Sequence, residues 1–268
     1  MYEIKEVDAS GEIADIYNDL RNSLNIKVVN TIWRYLATID GGLNWVWYSS
    51  KELYMSGKLE DINEKISDNI EFPELPLVPD NVLSSIGISE KDKLEIIQII
   101  KKYNIGNAKN MIGLSCFLKT YDKNIFLKPN VIIVNKSSIN SFSDRSEITN
   151  KKTWQLINSL SEMFVNTNHY IPFPPGLYIE LARWPNFLSL VWAMLSGLKK
   201  NNHLPKYTTI LNHRAENIIE PLLENMIVKS IPENKKDVMV PIHNLVTIVM
   251  PKMIMVGHML INSLSNKN

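Results

Sequence analysis

The side chains that most often carry enzyme chemistry are sparse in this sequence. The five histidines are His169, His203, His213, His243 and His258. No two of them stand three or four positions apart and none has a cysteine nearby, so the sequence gives no support for a metal site. The single cysteine, Cys116, lies in an apolar run and is predicted to be a core residue rather than a reactive thiol. The sequence also contains no phosphate-binding loop and no nucleophile-elbow motif.

The charge balance argues against nucleic acid or an anionic membrane surface as a partner. Lysine plus arginine is 29 against 28 for aspartate plus glutamate, so no basic excess would attract either one. The first residues lack an apolar signal region, which favours a cytoplasmic location. Residues 238–261 are strongly apolar, but they include prolines, histidines and a lysine that are unfavourable in lipid. We therefore expect a buried helix there and no membrane span.

Helical periodicity dominates the chain and predicts an all-α fold. Ser89 is a cap candidate for one helix, whose apolar side chains form a stripe over 94–103. A second helix is predicted over 12–24, and a longer helical run from 43 to about 66. The strand-like stretch at 131–134 is too short to build a sheet.

The chain divides into two halves of similar length, which predicts a tandem repeat. We assign 1–125 to a first helical repeat, 126–146 to a linker and 147–268 to a second helical repeat. An ungapped offset of 145 aligns 36–47 with 181–192 and gives five identities in twelve positions, including a tryptophan. Chance similarity between two apolar helices is the alternative. If the repeat is real, the halves should pack about a pseudo-two-fold axis with a pocket between them.

Several short motifs together resemble one known family. They are Val7 to Glu12, Arg34-Tyr35-Leu36-Ala37-Thr38, Tyr103 to Lys109, His169-Tyr170, and Leu181-Ala182 followed by Trp184-Pro185. In this order and spacing they resemble the group I 2-haloacid dehalogenases, over nearly the whole chain. The resemblance implies an all-α fold of two related repeats packed as a pseudo-dimer, with the active site between them. It further implies hydrolysis of 2-halocarboxylic acids without cofactor or metal, in which an aspartate activates a water that displaces halide directly from the α-carbon.

The resemblance can be carried over to the site residues only in part. Asn107 matches the family asparagine that helps to hold the site, although a Gly-Asn pair in a helix also satisfies local backbone groups. Leu177 stands where the family has its water-activating aspartate, and leucine cannot accept a proton. Glu180, three positions further on the same helical face, is the candidate replacement base. The alternative for Glu180 is a solvated or ion-paired helix residue.

The substrate pocket that the resemblance implies is altered as well. Val28 and Thr31 occupy positions where aromatic side chains would be expected, and Gly176 stands where the family has serine. Together with Leu177, these departures predict a pocket of changed shape.

Two classes of function therefore stay open. The first is a cofactor-independent hydrolase of small 2-substituted carboxylic acids, in which Arg34 and Arg183 are candidates for pairing the substrate carboxylate. A position on the surface is the simpler alternative for both arginines. The second class is a non-catalytic protein of the same fold that binds a small acid or has a structural role. In either class the expected partner is a small carboxylic acid, and a homodimer is an assembly that the sequence allows.

Overall fold

The computed structural model describes residues 3–127, 150–163, 174–199 and 204–265. Within these ranges every regular element is a helix, so the all-α prediction is confirmed. The strand-like stretch at 131–134 lies outside the described residues. So do all but the first two residues of the linker predicted over 126–146.

The first half forms six α-helices, the last of which is much longer than the others. They are α1 (Gly11–Leu24), α2 (Thr31–Leu36), α3 (Gly42–Met55), α4 (Ile62–Ser67), α5 (Asp80–Ser85) and α6 (Glu90–Tyr121). At the start of α6 the Ser89 side chain accepts a hydrogen bond from the Asp92 N–H, and the Asp92 carboxylate accepts one from the Ser89 N–H. The predicted continuous helix from 43 to 66 is wrong, because the chain leaves the helix near Gly57, where φ is +76°.

The described part of the second half also forms six α-helices. They are α7 (Lys151–Glu162), α8 (Gly176–Leu181), α9 (Pro185–Lys199), α10 (Leu204–Ile219), α11 (Lys235–Asn244) and α12 (Met250–Leu264). Short 3-10 helices cover Glu6–Asp8, Ile125–Leu127 and Glu220–Asn225. Helices α2 and α8 begin and end 145 positions apart, which is the offset of the sequence match, and α6 shifted by the same offset falls on α11 and α12. This correspondence supports the duplication, which stays a prediction.

Helices α6 and α12 pack against each other in the core, where a glycine allows close approach. A Cβ atom on Gly257 of α12 would overlap Oδ1 of Asn104 on α6, and Asn104 is only 2% exposed. Further along α6, a Cβ atom on Gly113 would stand 2.5 Å from the ring and hydroxyl of Tyr54. A side chain at either glycine must displace a buried neighbour, so the helix spacing depends on both glycines.

The C-terminal stretch Lys235–Leu264 is the one helix among the described residues that is long and apolar enough to cross a membrane, but most of it is buried within the protein. This agrees with the expected buried helix. A π-helical turn, Leu245–Val249, joins α11 to α12. Pro251 has no N–H to donate to the Thr247 carbonyl one turn earlier, and the Asn212 side chain donates to that carbonyl instead, at 2.8 Å. The neighbouring helix α10 thus satisfies the backbone group that the proline leaves open.

Lys252 on α12 is a buried lysine, only 3% exposed. Its Nζ donates hydrogen bonds to the carbonyls of Leu160 and Ser161, at 3.4 and 3.0 Å, in the last turn of α7. Burial lowers the pKa of Lys252 to about 7. Above pH 7 and below the ordinary lysine pKa, the unfolded chain therefore holds a proton at this position that the folded chain lacks, and stability increases as the pH rises.

We expect the free energy of unfolding to increase by on the order of 1–2 kcal/mol between pH 7 and pH 9 because of Lys252. The Lys252→Met variant should lose this increase, since it removes the group that titrates. Urea unfolding at both pH values measures the difference. The exposed Lys101 provides the control, as Lys101→Met should keep the increase. Parallel pH profiles for the wild type and Lys252→Met would contradict the assignment.

Candidate active site

A cavity of about 520 Å³ lies between residues of the two halves. The first half contributes the N-terminal segment 3–7, residues 28–34 and one face of α6. The second half contributes residues 175–183 around α8 and residues 245–253 around the π-helical turn. A volume of this size is typical of small-molecule sites. The cavity is therefore shared by the halves, as expected for a site between two repeats.

This cavity brings together every residue that the sequence assigned to the site. They are Val28, Thr31, Arg34, Asn107, Gly176, Leu177, Glu180 and Arg183. They come from three separate parts of the chain, residues 28–34, helix α6 and residues 176–183, and these parts meet only in the folded protein. Their shared location makes the assigned roles testable, and the roles themselves stay predictions.

Helix α8 carries the positions that depart most from the family pattern. It begins directly after Pro175, whose restricted φ suits the start of a helix. Leu177 is 1% exposed and offers the cavity an apolar surface with no group that can take a proton. A Cβ atom on Gly176 would stand 3.1 Å from the ring of Tyr103 and 3.2 Å from its hydroxyl. The Tyr103 side chain thus occupies the space that a side chain at position 176 would need.

Glu180 presents a carboxylate to the cavity and is held by two neighbours. Its side chain is 41% exposed, and Nη2 of Arg183 lies 3.4 Å from its Oε1. Burial, the charge of Glu180 and a hydrogen bond to its carboxylate raise the pKa of Tyr103 far above the ordinary value, so the phenol keeps its proton at neutral pH. Glu180 is therefore ion-paired, as the simpler alternative expected, and it also lines the cavity, as a base must.

Two asparagines one turn apart on α6 have different surroundings. Asn110 is 1% exposed. Its Oδ1 accepts hydrogen bonds from Nε1 of Trp33 at 3.0 Å and from the Tyr54 hydroxyl at 3.2 Å, and its Nδ2 donates to Oδ1 of Asn30 at 3.1 Å. The Asn107 side chain makes no hydrogen bond to any described residue and lines the cavity. Asn107 can therefore bind a ligand or a water, whereas Asn110 is occupied within the core.

The two arginines of the cavity wall differ in their exposure and in their bonding partners. Arg183 is 49% exposed, and its Nη1 lies 2.9 Å from a carboxylate oxygen of Glu95. The Arg34 side chain is only 16% exposed, with Nη2 at 3.4 Å from Oε2 of Glu3 and 3.3 Å from Oγ1 of Thr31. Nε of Arg34 is buried and has no hydrogen-bond partner among the described residues. Arg34 is therefore the better placed of the two to pair with the carboxylate of a ligand.

Sequence reasoning gave no role in the site to several polar residues that line the cavity, among them Glu3 and Tyr103. Glu3 is 7% exposed. The segment that carries it is fixed by the Ile4 N–H, which donates to the Arg34 carbonyl at 3.0 Å, and by the Tyr17 hydroxyl, which donates to the Ile4 carbonyl at 2.9 Å. No periodic pattern marks this irregular segment in the sequence. Tyr103 was recognised only as part of an apolar stripe and of the Tyr103 to Lys109 motif, and neither pattern shows which group its hydroxyl meets.

The histidines of the described residues do not contribute to this cavity. His258 packs beside Phe72, with ring centroids 5.3 Å apart, and burial lowers its pKa. His169 and His203 lie outside the described residues. In the described part of the chain, no three or more histidine, cysteine, aspartate or glutamate side chains are grouped so that they could hold a metal ion. The polar groups that line this cavity are amides, guanidinium groups, an ammonium group, an aliphatic hydroxyl, a phenol and carboxylates.

Comparison with known proteins identifies the fold. No protein-family profile matches the chain, and no curated protein matches it in sequence. A solved D-2-haloacid dehalogenase mutant aligns with a TM-score of 0.72 at 14% identity, covering 98% of this chain and 95% of that chain. A D-2-haloacid dehalogenase mutant in complex with D-2-CPA gives a TM-score of 0.65 at 14% identity, over 96% and 94% of the two chains. A D-2-haloacid dehalogenase in complex with L-LA gives 0.66 at 14% identity, over 96% and 95%. The chain therefore has a group I 2-haloacid dehalogenase-type fold.

Proposed function

We propose that the chain is a cofactor-independent hydrolase of 2-substituted carboxylic acids, such as 2-halocarboxylic acids. The observation that carries this proposal is the meeting of Asn107, Arg34 and Glu180 at one ligand-sized cavity that also has an apolar wall. Direct hydrolysis needs a base, a group that positions water, a partner for the substrate carboxylate and an apolar site for the leaving group. Each requirement has a candidate residue in this cavity.

In the proposed reaction Arg34 pairs with the carboxylate of the acid and Asn107 positions a water beside the α-carbon. The water oxygen forms a bond to that carbon while the carbon–halogen bond breaks and halide leaves. Glu180 takes the proton of the attacking water, and the product is a 2-hydroxy acid. The proton on Glu180 then returns to solvent, to which this half-exposed side chain has access. No covalent bond to the protein forms at any step.

The arrangement around Glu180 supports its place in this scheme. The phenol of Tyr103 keeps its proton and donates to the carboxylate, and Arg183 pairs with the same group. Both contacts fix the orientation of the carboxylate toward the cavity, which a general base requires.

The alternative is a protein of the same fold that binds a small acid without transforming it. The buried Leu177 favours this alternative, because a leucine occupies the position that the family resemblance assigns to the base. Under this alternative Arg34 and Asn107 hold the acid, and Glu180 is an ion-paired residue at the entrance. A third, purely structural role would leave the cavity without a ligand.

Halide release separates these functions. We expect the purified wild-type chain to release chloride and bromide from at least one enantiomer of 2-chloro- or 2-bromopropionate, measured against heat-inactivated protein. The Leu177→Asp variant is assayed beside it, with circular dichroism to check that it folds. If the wild type releases no halide but Leu177→Asp does, the cavity can still bind the substrate and only the wild-type chain has lost the reaction. If neither protein releases halide but calorimetry detects binding of the acid, the result supports the binding alternative.

A further inference from the structure

The cavity has an apolar floor built by buried side chains. They are Leu177 of α8, Leu245 and Val249 of the π-helical turn, and Met250 and Met253 of α12. Each is between 1% and 6% exposed. None of these side chains can form a strong hydrogen bond with a ligand, so the floor favours hydrocarbon. The two methionines are unbranched and flexible, which allows the floor to fit apolar groups of different shape.

The entrance of the same cavity is different, because it combines charge with exposed apolar side chains. Glu180 and Arg183 are 41% and 49% exposed there. Val7 and Val28 also line the cavity and are 89% and 59% exposed. The cavity lining thus includes exposed apolar side chains as well as buried ones, together with charged groups. An amphipathic molecule matches such a wall better than a small polar one.

The volume of the cavity exceeds what a three-carbon acid needs. A 2-halopropionate has six non-hydrogen atoms, which occupy about 180 Å³ if each takes roughly the volume of a liquid water. The cavity measures about 520 Å³. A three-carbon acid would therefore contact only part of the apolar floor. A longer tail would bury more apolar surface there, at roughly fourfold in affinity for each buried methylene.

We infer that the cavity selects carboxylic acids with an apolar tail, of about six to ten carbons, whose carboxylate pairs with Arg34 while the tail packs on the floor. Met253 limits the length of the tail from inside, and Val28 sets the width of the entrance. This inference rests on the proposed function for the chemistry at the α-carbon, but the preference for long tails can be measured without any reaction.

Binding of unreactive acids tests the length preference. Isothermal titration calorimetry on the wild-type chain compares propionate, hexanoate, octanoate and decanoate. We expect the affinity for octanoate to exceed that for propionate by at least about thirtyfold, since several methylenes become buried. Equal affinities for propionate and octanoate, or binding of neither, would overturn the inference.

Two variants locate the tail within the cavity. Met253→Phe adds bulk to the floor and should reduce the ratio of octanoate to propionate affinity by at least about tenfold. Val28→Trp narrows the entrance at an exposed position, where folding is not at risk, and should reduce the same ratio. Val228→Trp is the matched control, because Val228 is 73% exposed and is not part of the cavity wall. If Val28→Trp and Met253→Phe both keep the wild-type ratio, the tail does not bind there and the inference is wrong.

A parallel assay distinguishes failure of this inference from failure of the proposed function. Halide release from 2-bromooctanoate is compared with release from 2-bromopropionate. We expect kcat/KM to be higher for the longer acid. If 2-bromopropionate releases bromide and kcat/KM is no higher for 2-bromooctanoate, the length preference is wrong and the proposed hydrolase activity still stands. Length-dependent binding without halide release would support the length preference and contradict the proposed hydrolase activity.

Discussion

Replacing Glu180 with glutamine should reduce halide release by at least about a hundredfold, because glutamine keeps the shape of the side chain but cannot take a proton from water. Loss of a general base typically costs on the order of two to four powers of ten in rate. The measurement is kcat for halide release at saturating 2-haloacid, with calorimetric binding of the unreactive acid as a second readout. Binding should survive, since Arg34 is unchanged. A kcat within threefold of wild type would exclude Glu180 as the base.

Glu95 provides a matched control for this experiment. Its carboxylate pairs with the same Arg183, at 2.9 Å, and its side chain is 44% exposed, close to the 41% of Glu180. Glu95 is not part of the cavity wall. Glu95→Gln should therefore keep most of the activity. Equal losses in both variants would show that the role of Glu180 is to pair with Arg183, and that some other group takes the proton.

Asn110→Ala should destabilise the fold by about 2–4 kcal/mol, even though the residue touches the cavity. The change leaves the indole N–H of Trp33 and the hydroxyl of Tyr54 without their shared acceptor and opens a void in the core. A buried donor without a partner costs about 1–3 kcal/mol, and the lost packing adds to this. Urea unfolding measures the effect as a shift of the midpoint at unchanged slope.

Asn107→Ala is the counterpart of that variant, one turn earlier on the same helix. The Asn107 side chain makes no hydrogen bond to a described residue, so its loss should change the unfolding free energy by less than about 0.5 kcal/mol. Halide release should nevertheless fall, because the water loses its positioning group. A destabilisation like that of Asn110→Ala would instead show that Asn107 only satisfies local structure. The pair thus separates a role in the site from a role in the fold.

The sequence predicted the helices well where local signals agree. The capped start of α6 at Ser89 and the apolar stripe behind it specify that helix without reference to the rest of the chain. The break at Gly57 was missed, since apolar residues on both sides of it continue the helical pattern. The π-helical turn at Leu245–Val249 was missed for a similar reason, because its side chains are as apolar as those of the flanking helices.

The predicted site residues line one cavity, and their roles stay predictions, because sequence patterns cannot show which side chains meet after folding. The family resemblance suggested Asn107, and the helical spacing from Leu177 suggested Glu180; the structure places both at one cavity. The sequence could not show that Asn107 has no hydrogen-bond partner among the described residues or that Tyr103 meets Glu180, since both depend on segments that come together only after folding. The position of Glu3 in the cavity could not be predicted from the sequence for the same reason. Its burial depends on a pairing with Arg34, thirty-one positions away.

The contact between Gly176 and Tyr103 has a consequence for how this site can evolve. A methyl group at position 176 would stand 3.1 Å from the tyrosine ring, so the ring would have to shift and carry its hydroxyl with it. That hydroxyl also holds Glu180. A mutation at 176 alone must therefore displace Tyr103, whereas a smaller residue at 103 removes the close approach and the contact with Glu180 together. We therefore expect the two positions to be epistatic, since the effect of a change at 176 depends on the size of residue 103.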